Sequence, residues 1–242
     1  MTIYQANTPA TQANSFAASF KAFQDTKFYD LLAAMPLIAW YAFLLSSQVP
    51  ILVDQILSLD VATADARFYA SLASKLATQL FFMALALLMI VRRKPLGKSS
   101  GFYPKFAAVF GSFMSVVLVQ LPPRDLSVWM HVTSTLLILT GIAFSIYAVL
   151  KLGRSLSMLP EARRLVTGGP YSIIRHPLYV AEGVALFGLT LQYNSVWAWA
   201  LFSLQCMFQF ARMLNEEVVL SRAFPEYKDY AARTARLVPG LY

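Results

Sequence analysis

An all-α polytopic membrane helical bundle with a C-terminal helical hairpin is the fold class this sequence predicts, on three observations. Of 242 residues, 58% are hydrophobic and only 13% charged, and the mean hydropathy is +0.56, far too apolar for a soluble domain. The apolar residues gather into runs near the ~20 residues needed to cross the hydrocarbon. Basic residues fall in short clusters between those runs, where they set topology and meet lipid headgroups. The formal charge of +8 therefore does not point to nucleic acid, since no basic domain exists to carry such binding. Cys206 is the single cysteine, which excludes a disulfide or a cysteine-based zinc site within one chain.

Residues 1–28 form a polar N-terminal tail. It lacks a basic run followed by an apolar one, so no cleavable signal is expected. Phe16, Phe20 and Phe23 recur at helical spacing beside Lys21 and Lys27, which fits a helix lying in the membrane interface. A partly disordered tail explains the segment equally well.

Residues 29–150 carry four predicted spans, 29–53, 68–91, 104–121 and 126–150. Residues 151–242 form the third region. From Pro177 the apolar run continues to about Met213, broken at Gln192, Tyr193, Asn194 and Ser195, which predicts a helical hairpin with a short first arm. Arg92, Arg93, Lys94, Lys98 and Lys105 occupy one loop without an acid. Lys151, Arg154, Arg163, Arg164 and Arg175 occupy another with only Glu161. Both loops are expected on the cytoplasmic side, together with both termini. The loops with Asp54, Asp60, Asp65 and Arg67, and with Arg124 and Asp125, face the other way.

The chemistry concentrates in Thr167-Gly168-Gly169-Pro170-Tyr171-Ser172-Ile173-Ile174-Arg175-His176-Pro177-Leu178-Tyr179. Gly168 and Gly169 permit a tight turn, and Pro177 suits the first turn of a helix, whose free amides then face an anion such as a ligand carboxylate. The second hairpin arm ends in Arg212, Asn215, Glu216 and Glu217. Arg212 and Glu216 share a helix face, and Glu217 points about 100° away. An i,i+4 ion pair at a membrane boundary accounts for the first two residues alone. The hairpin, however, returns them to the level of Arg175 and His176, so that two polar clusters face each other. Glu182 is an acid early in an apolar helix, costly unless it faces protein or water, and so a candidate for the substrate entrance. His176 also reads as a hydrogen-bonding boundary residue and Tyr179 as part of an aromatic belt. His131 lies near the opposite face and reads as structural. Two distant histidines without an acid cluster predict no metal site. The tail from Phe224 through Pro239 interleaves aromatics with charges, as an interfacial helix or a lid over a site would.

From about Arg163 to Tyr242 the chain resembles the membrane-embedded isoprenylcysteine carboxyl methyltransferase and phospholipid N-methyltransferase family. The series that carries the resemblance is Leu165-Val166-Thr167 with Gly169 and Tyr171, then Arg175-His176-Pro177-Leu178-Tyr179, then Arg212, Glu216, Glu217 and Leu220, then Tyr227 and Tyr230. The resemblance implies a cytoplasmic cofactor site for S-adenosylmethionine. Arg163, Arg164, Leu165, Val166, Gly169, Tyr171, Arg175, His176, Pro177, Leu178 and Tyr179 would surround the cofactor, and Glu216 would hold its amino group. Arg212, with Glu182, would meet a lipophilic small molecule or lipidated substrate. Arg212, Glu216 and Glu217 would be the catalytic groups. Family members often have histidine where Arg163 stands, and glycine then an aromatic where Ala181 and Glu182 stand, which bears on the substrate more than on the cofactor. A sterol-type membrane reductase shares Arg-His-Pro and a terminal Pro-x-x-Tyr like Pro239 to Tyr242, but has a different pattern at Glu216 and Glu217. A non-catalytic membrane scaffold is the third reading.

Overall fold

The structure, a computed structural model, describes residues 18–59, 66–118, 120–122 and 124–240. A short helical stretch, 18–24, precedes α1 (Lys27–Leu57), which starts where the Thr26 hydroxyl accepts the amide of Tyr29 at 3.1 Å. Asp30 in the first turn suits the positive end of the helix. Helices α2 (Ala66–Val91), α3 (Phe102–Leu118) and α4 (Val128–Leu152) follow. Next come α5 (Pro177–Tyr193), α6 (Val196–Ala223) and α7 (Tyr227–Arg233). Among the described residues the fold is thus all-α apart from a two-residue ladder, β1 (Gly97–Lys98) antiparallel to β2 (Glu161–Ala162).

Among the described residues, three helical stretches are long and apolar enough to cross a membrane: Lys27–Leu57, Phe68–Val91 and Val128–Ser155. The expected span over 104–121 falls on α3, which has 17 residues. That is about 25 Å of helix, short of the ~30 Å hydrocarbon core. Its end precedes Pro122, which disfavours a helical conformation in the residue before it. Of the expected interfacial helix, Phe16 lies outside the described residues, whereas Phe20 and Phe23 are helical and exposed. Asp60 and Asp65 also fall outside the described residues.

The hairpin turns at Asn194, whose φ of 33° is the left-handed conformation asparagine tolerates. Ser195 then caps α6 through its hydroxyl. The two arms pack less against each other than against other helices: α5 lies along α4 and α6 along α3. Small residues allow the first of these contacts. A Cβ added to Gly141 would stand 2.5 Å from the Ala185 nitrogen, and one on Gly188 would stand 2.8 Å from the Ser134 carbonyl oxygen. The Ser134 hydroxyl donates to the Gly188 carbonyl at 2.8 Å across the same interface. Beneath the loops, Tyr41, Leu85, Met89, Val149, Leu156 and Met158 form a buried apolar cluster. Trp129, Trp197, Leu136, Leu150 and Met207 point outward, as lipid-facing residues do.

The ladder joins the two basic loops. Leu96 donates its amide to the Ala162 carbonyl at 2.6 Å, Ser99 to Pro160 at 3.0 Å, and Arg93 to Arg154 at 2.7 Å. The loop after α2 and the loop after α4 therefore lie on one side of the bundle.

Candidate active site

Helix α6 runs to Ala223, ten residues beyond the apolar stretch that ends near Met213, and this extension carries the charged residues. Its two neighbouring acids face different surroundings. Glu216 Oε1 accepts the Arg212 Nε–H at 3.1 Å and the Tyr179 hydroxyl in a short bond. Both bonds fall on Oε1, leaving Oε2 without a hydrogen bond among the described residues. Arg212 is buried, 7% exposed, and spreads its guanidinium to the Ser112 hydroxyl at 3.0 Å and the Ser157 carbonyl at 3.4 Å. It also lies over the Tyr179 ring, 5.1 Å from the centroid. The His176 ring stacks on Tyr179 at 5.4 Å and 14°. Tyr179 is therefore buried in the site, not set in an exterior aromatic belt.

Glu217 faces the tail. It accepts Arg175 Nε at 2.9 Å, Arg236 Nη2 at 2.8 Å, and lies 3.2 Å from His176 Nε2. Burial opposes its charge, but the hydrogen bonds from His176, Arg236 and Arg175 outweigh burial and hold its carboxyl well below the usual carboxylate range. Arg175 also donates to the Ala231 carbonyl at 2.7 Å and to the Thr234 carbonyl. Its amide reaches Ala235 at 2.8 Å, and the amide of His176 reaches Arg236 at 3.2 Å. The Tyr230 hydroxyl donates to the Tyr171 carbonyl at 2.7 Å. The motif around Arg175 and the C-terminal tail are thus fastened together through Glu217.

A cavity of about 100 Å³ opens between these groups. Of the residues singled out from sequence, Arg163, Arg164, Leu165, Val166, Tyr171, Arg175, His176, Leu178, Tyr179, Arg212 and Glu216 line it. Gly169, Pro177, Glu182 and Glu217 do not. Pro177 opens α5 as its first residue, and Gly169 takes a φ of 64° at the start of the turn Gly169–Ser172. Glu182 sits one turn further along α5 and accepts Gln209 Nε2 at 2.9 Å. The sequence did not single out Leu152, Ser155, Leu156, Ser157, Leu159 and Glu161, which form the wall from the last residue of α4 onward. Leu220, Tyr227 and Tyr230, which carried the resemblance without a specific role, also line the cavity, the two tyrosines from the tail segment that read as an interfacial helix or a lid.

Two cavity-lining residues carry buried polar atoms that lack a hydrogen bond, Arg163 Nε and Tyr227 Oη. The Tyr227 hydroxyl lies near Glu217 without closing a hydrogen bond to it. Burial first, then the Glu217 charge, push its pKa up. Burial and then the Glu216 charge do the same to Tyr171, and burial lifts Tyr230 to about 12. All three hydroxyls stay neutral donors.

Residues 129–227 match the family model described as phospholipid methyltransferase. This region is similar to that family. It begins in α4 and ends at the first residue of α7, so it takes in the hairpin and most of the cavity wall. Two relatives are similar over a shorter stretch. The nickel-cobalt-cadmium resistance protein NccN of Alcaligenes xylosoxydans xylosoxydans is 40% identical over 82 residues, 34% of this chain and 38% of the relative. The cobalt-zinc-cadmium resistance protein CzcN of Cupriavidus metallidurans is 38% identical over 78 residues, 32% of this chain and 36% of the relative. The matched region thus spans less than two fifths of either relative. Among the described residues no three or more His, Cys, Asp or Glu side chains come together to hold a metal ion.

Proposed function

We propose that the protein is an integral membrane methyltransferase that uses S-adenosylmethionine to methylate a lipophilic acceptor, similar to isoprenylcysteine carboxyl O-methyltransferases. The observation that carries this reading is the Tyr179, Arg212 and Glu216 knot, set in the wall of a cavity that lies within the methyltransferase family region. The residues present fit the cofactor. Arg163 and Tyr227 offer buried donors that lack partners, and Glu216 Oε2 suits an ammonium group. The start of α5 at Pro177 suits a carboxylate, and buried Tyr171 suits an aromatic base. The cofactor supplies an electrophilic methyl group on a sulfonium sulfur.

The cavity is smaller than the ~300 Å³ of the smaller small-molecule sites, so a ligand of this size needs the wall to widen. The tail residues Tyr227 and Tyr230, on the seven-residue α7, are one part of that wall.

The protein's contribution to rate is chiefly alignment, a gain that reaches several kcal/mol when donor and acceptor are held in line. Arg212 orients a carboxylate acceptor, which needs no base. An amine or thiol acceptor would need a base, and Glu217, with its strongly depressed pKa, is a weak one. Glu182 and Gln209 lie on the membrane side of Arg212 and line the acceptor's approach. The positive loops support a cytoplasmic orientation for this face and both termini. Single-cysteine labelling at Lys98 and Asp125, in a background lacking Cys206, should mark opposite sides of the membrane, and labelling of both from one side overturns that topology.

Calorimetry on the purified protein in nanodiscs tests the cofactor. Micromolar binding of S-adenosylmethionine is expected, roughly −8 kcal/mol, with no binding of NADPH. Tight NADPH binding without S-adenosylmethionine binding would instead establish the reductase reading.

A further inference from the structure

Asp30 lies outside the family region and does not line the cavity, yet it is one of the most heavily bonded carboxylates among the described residues. It is 5% exposed on the first turn of α1. Two guanidinium groups grip it. Arg92 donates Nε to Oδ2 at 3.1 Å and Nη2 to Oδ1 at 3.0 Å, and Arg163 donates Nη1 to Oδ2 at 3.1 Å and Nη2 to Oδ1 at 2.8 Å. Four N–H groups on two oxygens fill the acceptor capacity of a carboxylate. Arg92 also holds the Asp30 carbonyl at 2.9 Å, which fixes backbone as well as side chain.

The grip continues into the cavity wall. Arg163 donates to Glu161 Oε2 at 2.6 Å and to the Arg93 carbonyl, and Glu161 accepts the Ser157 hydroxyl at 2.8 Å. Glu161, Arg163 and Ser157 all line the cavity. The side chain of Arg163 is fully buried, so without Asp30 one buried guanidinium loses one of its two counter-charges, the other being Glu161. Backbone pairing with the loop after α2 fixes Pro160, Glu161 and Ala162 of this wall. Among the described residues Asp30 is the one group that holds both Nη1 and Nη2 of Arg163, and so bears on the aim of its unpartnered Nε.

We infer that Asp30 is a positioning residue, through which the first membrane helix sets the 157–166 wall of the cofactor cavity. The inference rests on the methyltransferase reading for its binding arm only. Asp30→Asn keeps size and removes charge. In nanodiscs its S-adenosylmethionine Kd, read by calorimetry, should rise at least tenfold at unchanged binding stoichiometry. Amide hydrogen exchange should speed up in 157–166 and stay unchanged in 212–217. A merely structural role predicts the reverse split, a lower stoichiometry and melting temperature with the Kd of the folded fraction unmoved, and that outcome overturns the inference. If Asp30→Asn does not fold, Arg92→Lys keeps the charge and removes the fork, and it should show the same changes in weaker form. An unchanged Kd and unchanged exchange in that variant likewise overturn it. If the wild-type chain binds no S-adenosylmethionine, the functional proposal fails, and the exchange measurement alone decides the role of Asp30.

Discussion

Glu216 and Glu217 are adjacent in sequence, and the helix turns them into different regions. Glu217 enters the tail clasp, where two arginines and a histidine surround it. Glu216 enters the cavity, where one arginine and one tyrosine share a single carboxylate oxygen. A saturated acid does structural work, because every hydrogen bond it can form is already made. An under-committed acid beside a cavity retains capacity for a ligand. Side-chain exposure follows the same order, 13% for Glu217 and 21% for Glu216.

The largest expected effect breaks the clasp. Glu217→Ala strands Arg175, which is 12% exposed, and removing one partner of a buried pair costs about 3–5 kcal/mol. A marked fall in melting temperature, with faster proteolysis of the segment after Phe224, is the expected result. The pH dependence has a definite sign. The carboxyl of Glu217 is held below its ordinary value of 4.5, so its contribution is complete above about pH 4.5 and is lost as the pH falls further below that. Melting curves of the wild type should show this loss under acid, and those of Glu217→Gln should lack it. A variant as stable as the wild type at pH 7 would dissolve the contrast between the two acids.

The two regions also differ in how far the sequence disclosed them. The hairpin, its turn near Asn194 and the facing of Arg175 and His176 toward Glu216 and Glu217 follow from hydropathy and helical spacing, which are local properties. The wall from Ser155 to Glu161 was not legible, because its place depends on the β1–β2 ladder and on Asp30, partners more than 60 residues away. One signal was available. Asp30 is an acid one turn into an apolar helix, the same anomaly that marked Glu182. The separation of Glu217 from the cavity was half legible: helical geometry gives the 100° between the acids, but only the folded tail places Arg236 opposite one of them.

The smaller effect sharpens the comparison from the cavity side. If Glu216 holds the cofactor's ammonium, Glu216→Gln should weaken S-adenosylmethionine binding by about 1.5–3 kcal/mol, the scale of a charge-assisted hydrogen bond. Its melting temperature should fall less than that of Glu217→Ala, since only Arg212 loses a counter-charge, and Arg212 keeps Ser112 and the Ser157 carbonyl. Arg212→Ala should leave cofactor affinity nearly intact and abolish turnover of an acceptor found by screening prenylcysteines, lipids and hydrophobic acids with labelled methyl donor. A plain i,i+4 ion pair makes a different forecast: both substitutions lower the melting temperature equally and neither changes cofactor affinity. Calorimetry and melting curves on the same two variants therefore separate a ligand-binding acid from a structural one.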